Sequence, residues 1–391
     1  MVKVASLFSQ ILSLIDRHGF ASLVTKLKAE KAAKGFGCWD QFVAMLFCQL
    51  AQARSLREIE SGLKSCEGQL RHLGMKEAAK RSTLSYANAH RPWQLYEGIF
   101  YALLERVQAC APRKKFRFRN KLLSLDATVI ELCASMFDWA RFRATKGALK
   151  LHLLLDHDGC LPVYACIGEG READVNVAWE LELPKGSIVV VDRGYVDYLL
   201  FKRWSEEGVF FVTRQKRNAA ALAFAQRPVP PGTAVLRDEI IIHQAFEAGA
   251  KARQELRRVV VWLEDKQEEL VLLSNNFALA AATIAAIYKQ RWQIELFFKA
   301  IKQNLRIKTF VGTSANAVHI QIWTALIAML LLKLLQFRSS LKWALSNLIA
   351  LLRWNLFTYR DLWAWLNAPF ETPPQSMELQ QAWLNLDSMP A

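Results

Sequence analysis

Over the first hundred residues, apolar positions recur at intervals of three and four in 2–15, 42–50 and 95–107, and β-branched runs are scarce. That spacing predicts helices up to about residue 107. The texture then changes. Residues 122–130 (LLSLDATVI) predict a strand, and 148–156 and 161–168 two more, joined by the Asp-Gly hairpin signal at Asp158-Gly159. A short helix at 173–181, a buried strand at 187–192 (SIVVVD), a helix at 196–207 and a strand at 209–213 follow. From about 215 to 276 the prolines 228, 230 and 231 break this alternation, and 235–242, 255–264 and 269–274 read as antiparallel strands of a β-rich insertion. Helix returns at 278, breaks near 309–314 and resumes through 317–335. The most hydrophobic run, 322–335, contains Lys333 and is shorter than the roughly 20 residues a bilayer span needs, so it predicts a buried helix.

Three antiparallel strands, then helix, strand, helix, strand, is the order of a ribonuclease H-like α/β domain. The expected organisation is a helical region at 1–112, an α/β core at 113–214 resumed at 278–315, the β-rich insertion at 215–277, and C-terminal helices with a tail at 316–391. In the first region Ser55-Leu-Arg-Glu58 has capping-box spacing, and residues 81–91 offer a second short helix closed by Pro92. Two short helices of this kind suit a DNA-groove-reading unit. An ordinary helical bundle is the alternative.

Charge narrows the partners. The chain has 391 residues, with 51 Lys and Arg against 36 Asp and Glu, a net charge of +15. A pI near 9.6 points to a polyanion, most commonly nucleic acid. Seven cysteines with no C-x-x-C spacing argue against a disulfide framework and a structural zinc site. No signal-peptide pattern opens the chain, so a reduced, cytosolic protein outside the membrane is expected. The densest positive run is Arg113, Lys114, Lys115, Arg117 and Arg119, interleaved with Phe116 and Phe118. It suggests a strand-like segment whose cationic face binds phosphate, or else a charge-guarded edge.

The chemistry rests on acids at the ends of apolar strands. Asp126 lies in a hydrophobic strand and Asp192 ends the 189–191 valine run. Carboxylates are seldom buried unless paired or bound to metal, and two together favour a metal site; Asp192 alone could cap the next helix. A third acid lies in a helix. With Tyr288 at 0°, Arg291 falls at about −60°, Glu295 at about −20° and Lys302 at about −40°, a narrow stripe beside the apolar face. A solvated stripe with an Arg291–Glu295 pair explains that spacing equally well.

The pattern Y-x2-R-x3-E-x6-K, standing as Tyr288, Arg291, Glu295 and Lys302, resembles the signature of the insertion-sequence-4 family of DDE transposases. Asp126 in LSLDAT and Asp192 in VVDRGY resemble that family's two aspartate motifs, and the order of regions matches over most of the chain. The resemblance implies that Asp126, Asp192 and Glu295 hold two Mg²⁺ ions, with Mn²⁺ able to substitute, for cleavage and joining of DNA. Water would first free a 3′-OH at the element's end; that hydroxyl would form a hairpin, which reopens before joining to target DNA. It further implies that Tyr288, Arg291 and Lys302 grip phosphates of the transposon end; the helical region 1–112 is expected to bind DNA, and a homodimer or larger synaptic assembly is expected because coupled cutting and joining of the terminal inverted repeats needs both ends together. Arg193 and Lys299, beside these motifs, are further candidate DNA contacts.

Trp262, between Val261 and Leu263, is a candidate for stacking a flipped base, against burial in the core. His152 is expected to be a satisfied core or rim histidine rather than a ligand. Asp156 and Asp158 are expected to shape a turn, and Asp174 and Asp197 to be solvated helix residues. Two other functions stay open: a ribonuclease H-like nuclease that cuts without joining, and a non-catalytic DNA-binding regulator or degenerate copy.

Overall fold

Hydrophobic strands that lack polar alternation must be covered on both faces, and the chain does this with one mixed sheet. The computed structural model describes residues 5–31, 33, 35–66, 68–113, 116, 118–133, 139, 141–143, 146–216, 222–229, 231–247, 250–307 and 309–373. Among them ten strands form a single sheet: β1 (Leu122–Cys133), β2 (Arg141–Arg143), β3 (Lys146–Asp156), β4 (Leu161–Glu169), β5 (Ile188–Val191), β6 (Phe210–Arg214), β7 (Leu222–Gln226), β8 (Val235–Glu247), β9 (Ala250–Leu263) and β10 (Glu268–Ser274). Their order is β2-β3-β1-β5-β6-β10-β9-β8-β7, with β4 also on β3. β1 and β3 are antiparallel, whereas β1, β5 and β6 are mutually parallel. Helices Asp174–Glu180 and Tyr198–Glu206 cover one face, and Ala281–Gln290 covers the other.

The strands expected as an insertion are present, and they prolong this sheet. β10 pairs with β6 from Leu272↔Arg214 to Ser274↔Val212, and β9 and β8 add outward from it. Of the run 113–119, expected to be strand-like, the described residues Arg113, Phe116, Phe118 and Arg119 belong to no strand. Phe116 and Phe118 stack at 5.0 Å and both pack on the sheet's core, on one side as residues two apart in an extended segment would, and strand pairing among the described residues begins at Leu122. Lys114, Lys115 and Arg117 lie outside the described residues, as does the tail beyond Pro373.

The 24-residue helix Ala315–Arg338 is the axis of the helical half. It is long and apolar enough to cross a membrane, yet it lies buried among Cys38–Leu50, Arg81–His90 and Gln94–Gln108. The chain's two ends meet on this core: the Leu7 N–H donates to Thr358 O at 3.1 Å and the Phe8 N–H to Leu356 O at 2.8 Å. Ser55 caps helix Leu56–Lys64 by accepting from the Glu58 N–H at 3.2 Å, while the Glu58 carboxylate reaches the Arg54 N–H, one residue short of a full capping box. Glu60 accepts from the Arg81 N–H at 3.0 Å and so caps the neighbouring helix. Residues 65–80 separate these two helices, far more than the three or four of a tight helix-turn-helix.

Two glutamines fix the segment that leaves the helix carrying Glu295. Gln321, fully buried, donates to Arg306 O at 2.6 Å and to Thr309 O at 2.8 Å, and accepts from the Val311 N–H at 2.9 Å. Gln49, also fully buried, accepts from the Arg306 N–H at 2.7 Å. A leucine at position 321 fills similar space but strands these backbone groups. Gln321→Leu is therefore expected to lower unfolding free energy by about 1–3 kcal/mol, read by urea denaturation.

Candidate active site

Strand register brings the aspartates together. Leu125 on β1 pairs with Val191 on β5, so Asp126 and Asp192 stand one step further along neighbouring parallel strands. Alternation turns both toward the face that carries Val190 and Val212, which helix Ala281–Gln290 covers. Val191 in turn pairs with Thr213, which puts Arg214 level with Asp192 on the next strand.

The helical pattern around Glu295 is interrupted where the sequence predicts one continuous helix. Ala281–Gln290 ends and Trp292–Asn304 begins at Arg291, whose backbone keeps helical angles. The four signature residues still converge. Arg291 Nη2 donates to Glu295 Oε1 at 2.5 Å, and Nη1 reaches Asp126 Oδ2 at 3.4 Å. The guanidinium lies 5.9 Å from the Tyr288 ring centre. Lys302 donates to Val129 O at 2.8 Å and ties the helix to β1. Ile294, Phe297, Phe298 and Ile301 bury the adjoining side of the helix in the helical core, which leaves Glu295 at its border, lining the groove with Asp126 and Asp192. Asp126, Thr128, Asp192, Arg291, Glu295 and Lys299 line an open groove of about 450 Å³.

Burial dominates the electrostatics of the site, with the neighbouring carboxylates adding to it. Burial pushes the Asp126 carboxyl up to about 6; Asp192 and Glu295 push the same way, against the Ala127 N–H and Arg291. Burial also raises Tyr288, with Asp192 adding to the shift and Arg291 opposing it. Asp192 accepts from its neighbour's N–H, Arg193, at 2.6 Å and caps the short turn Arg193–Tyr195, so the capping explanation holds beside any other.

The remaining sequence candidates divide. Arg193 is exposed beside Asp192. Trp262 is half-buried on β9, three strands from β5 and about 14 Å away at ordinary strand spacing, and it does not line the groove. Arg113 and Arg119 are exposed ahead of β1, also off the groove. His152 corrects its expectation: it is fully buried on β3, and neither ring nitrogen has a hydrogen-bond partner among the described residues. Burial lowers its pKa and keeps it neutral. Asp156 accepts from the Asp158 N–H at 2.9 Å within the turn, as expected. Asp174 pairs with Lys150 at 2.8 Å, and Asp197 caps helix Tyr198–Glu206. Two neighbours of the site escaped the sequence reading. Arg214 was visible only through its level with Asp192. Trp292, 56% exposed, is a large aromatic off the apolar stripe of its own helix.

Residues 117–331 match the family model described as transposase DDE domain. The chain belongs to the DDE transposases. A second model, described as a domain of unknown function, matches residues 3–76 of this transposase. The protein of Sinorhizobium fredii named as transposase y4zB is 30% identical over 74% of this chain and 80% of its own length. The protein of Geobacillus stearothermophilus named as the transposase for insertion sequence element IS5377 is 26% identical over 64% of this chain and 66% of its own. Among solved structures, a piggyBac transposase synaptic complex with hairpin DNA aligns over 90% of this chain and 79% of its own at 12% identity, TM-score 0.41.

A DDE domain implies dependence on divalent metal. The donors here fit such an ion in kind: three carboxylates supply hard oxygens, and Asp126, raised chiefly by burial, is a carboxylate that a bound cation would keep ionised. As placed, no three acidic, histidine or cysteine side chains among the described residues stand close enough to grip one ion, and Arg291 bridges two of the three carboxylates.

Proposed function

We propose that this DDE transposase is a member of the insertion-sequence-4 group with a ribonuclease H-like core, and that it cuts the ends of its element and joins them to target DNA. The observation that carries this reading is the convergence of Asp126, within β1, and Asp192, level with it just past the end of neighbouring β5, with Glu295 on the helix beside them, all within the matched region. Asp126, Asp192 and Glu295 would hold two Mg²⁺ ions, with Mn²⁺ able to substitute, which when bound supply activation of the attacking oxygen and charge stabilisation of the leaving one. Arg291, Tyr288 and Lys302 are phosphate ligands for the transposon end. Arg suits bidentate contact, and Lys adds a point charge. Arg193, Lys299 and Arg214 extend the cationic rim, Arg113 and Arg119 lie further out with 114, 115 and 117, and Trp262 is the more distant stacking candidate. Trp292, exposed and next in sequence to Arg291, is a second stacking candidate. Hairpin ends, recognition of terminal repeats by residues 1–112 and a dimeric synaptic assembly complete the reading.

The test is product mapping. Purified protein, Mg²⁺ and a duplex spanning the element's boundary are incubated and resolved on a denaturing gel. Metal-dependent nicks at the boundary with hairpins and joined products are expected. Cleavage without hairpins or joining would replace this reading with the nuclease, and binding without cleavage with the regulator.

A further inference from the structure

The groove at the carboxylates is lined along the Glu295 helix as far as Gln303, and the surface at the end of that helix is organised around one unusual residue. Gln52 adopts a left-handed backbone with φ of 58°, uncommon for a side-chain-bearing residue and often a mark of a site that needs a special geometry. Its carbonyl accepts from Arg306 Nη2 at 2.6 Å and Nε at 3.0 Å. Its side-chain nitrogen donates to Asn304 O at 3.0 Å, and its side-chain oxygen accepts from Arg353 at 3.4 Å. One residue thus holds two guanidinium groups at the end of the Glu295 helix. Arg54, two residues on, is exposed and electrostatically close: with burial first, Arg54 and Arg353 both depress the Arg306 pKa. Glu58 is the acid on this patch, with its carboxylate on the Arg54 N–H at 2.9 Å, which leaves three cations against one anion. No ion pair within 4.0 Å joins Arg54, Arg306 or Arg353 to a carboxylate among the described residues. Trp354, 76% exposed, lies 5.6 Å from the Arg353 guanidinium.

We infer that Arg54, Arg306, Arg353 and Trp354 form a second contact for duplex DNA, which holds its phosphate backbone beyond the catalytic groove. The inference rests on the proposed action on DNA. Like charges gathered around Gln52, Arg306 on its carbonyl and Arg353 on its side-chain oxygen, and set beside a solvent-facing indole, are poorly explained by stability alone. Arginines suit phosphate oxygens, and the indole offers a flat apolar plane to deoxyribose. The distance suits the same duplex. From Glu295 to Asn304 the helix rises about 13 Å, so the patch lies about four base pairs of 3.4 Å from the carboxylates. The duplex held there is either the transposon end or the target, and the test separates them.

The experiment uses full-length protein with Arg54→Gln/Arg353→Gln, Trp354→Ala, and Lys185→Gln/Lys266→Gln as an equal-charge control on remote exposed sites. Affinity is measured against salt for an end-bearing duplex, and for capture of an unrelated duplex by the end-bound protein. For the arginine variant, the log–log salt slope is expected to fall by about 1.8, near 0.9 for each phosphate that is no longer neutralised. Affinity is expected to drop about tenfold at moderate salt, and Trp354→Ala to weaken binding with the slope kept. Loss on the end duplex identifies the transposon end, and loss confined to the second duplex identifies the target. Parallel loss in the lysine control, an unchanged slope in the arginine variant, or a change in self-association alone overturns the inference, the last in favour of a protein partner. If the wild-type protein binds neither duplex, the proposed function itself fails.

Discussion

Glu295→Gln is expected to abolish strand cleavage, with a loss of about 10³-fold or more, while binding to the end duplex stays within about threefold of wild type. The amide keeps the shape of the carboxylate and removes its charge, so a hard cation loses an anionic oxygen. Metal assistance is worth several kcal/mol at the transition state, and each 1.36 kcal/mol is tenfold in rate. The same substitution costs little stability. The Arg291–Glu295 pair is partly exposed, at 17% and 32%, and such pairs contribute at most about 1 kcal/mol. Arg291 also keeps Asp126 as a partner. Lost cleavage with an unchanged melting curve therefore isolates the chemistry. Gel assays at matched protein concentration check it, and a variant that still cleaves within tenfold of wild type would remove Glu295 from the catalytic set.

Local order was legible because it follows from short-range rules. The run LLSLDATVI and the valines before Asp192 could be little else than buried strands, and they begin within a residue of the sequence expectation. The Asp158-Gly159 turn appears with Gly159 at φ 70°, the conformation glycine tolerates best. Long-range pairing was not legible. Nothing in residues 268–274 announces that β10 joins β6, so a segment that reads as an insertion becomes a continuation of the sheet. The stripe of Tyr288, Arg291 and Glu295 could be computed from helical spacing, but its partner could not. That Arg291 reaches back to Asp126, 165 residues earlier, depends on how the sheet places β1. His152 illustrates the opposite limit: the sequence suggested a satisfied core or rim histidine, and only packing shows its imidazole buried with no hydrogen-bond partner among the described residues.

The largest effect on stability is expected at Asp238, through a charge that the sheet extension buries. Arg257 on β9 is 1% exposed and Asp238 on β8 4%, and the guanidinium grips the carboxylate with Nε at 2.9 Å and Nη2 at 2.7 Å. Its third nitrogen donates to Asn276 O at 3.0 Å and Leu279 O at 2.5 Å, while Asn276 Oδ1 accepts from the N–H groups of Ala278 and Leu279. This pair therefore braces the turn from which helix Ala281–Gln290 carries Tyr288 to the site. Asp238→Ala leaves Arg257 buried without its counter-charge, and breaking such a pair costs about 3–5 kcal/mol. Against a total of roughly 5–15 kcal/mol, that brings the fold near its threshold. Replacing the buried pair by apolar residues, Asp238→Leu with Arg257→Met, is expected to cost less than Asp238→Ala alone, because the one charge then left without Asp238, Arg227 at 3.6 Å, is partly exposed to water. The exposed pair Arg237–Glu269, about half accessible on each side, serves as the control, and Glu269→Ala should cost less than about 1 kcal/mol. Urea denaturation orders the three variants. An Asp238→Ala protein as stable as Glu269→Ala would mean that water reaches Arg257, and the bracing role would pass to Asn276 alone.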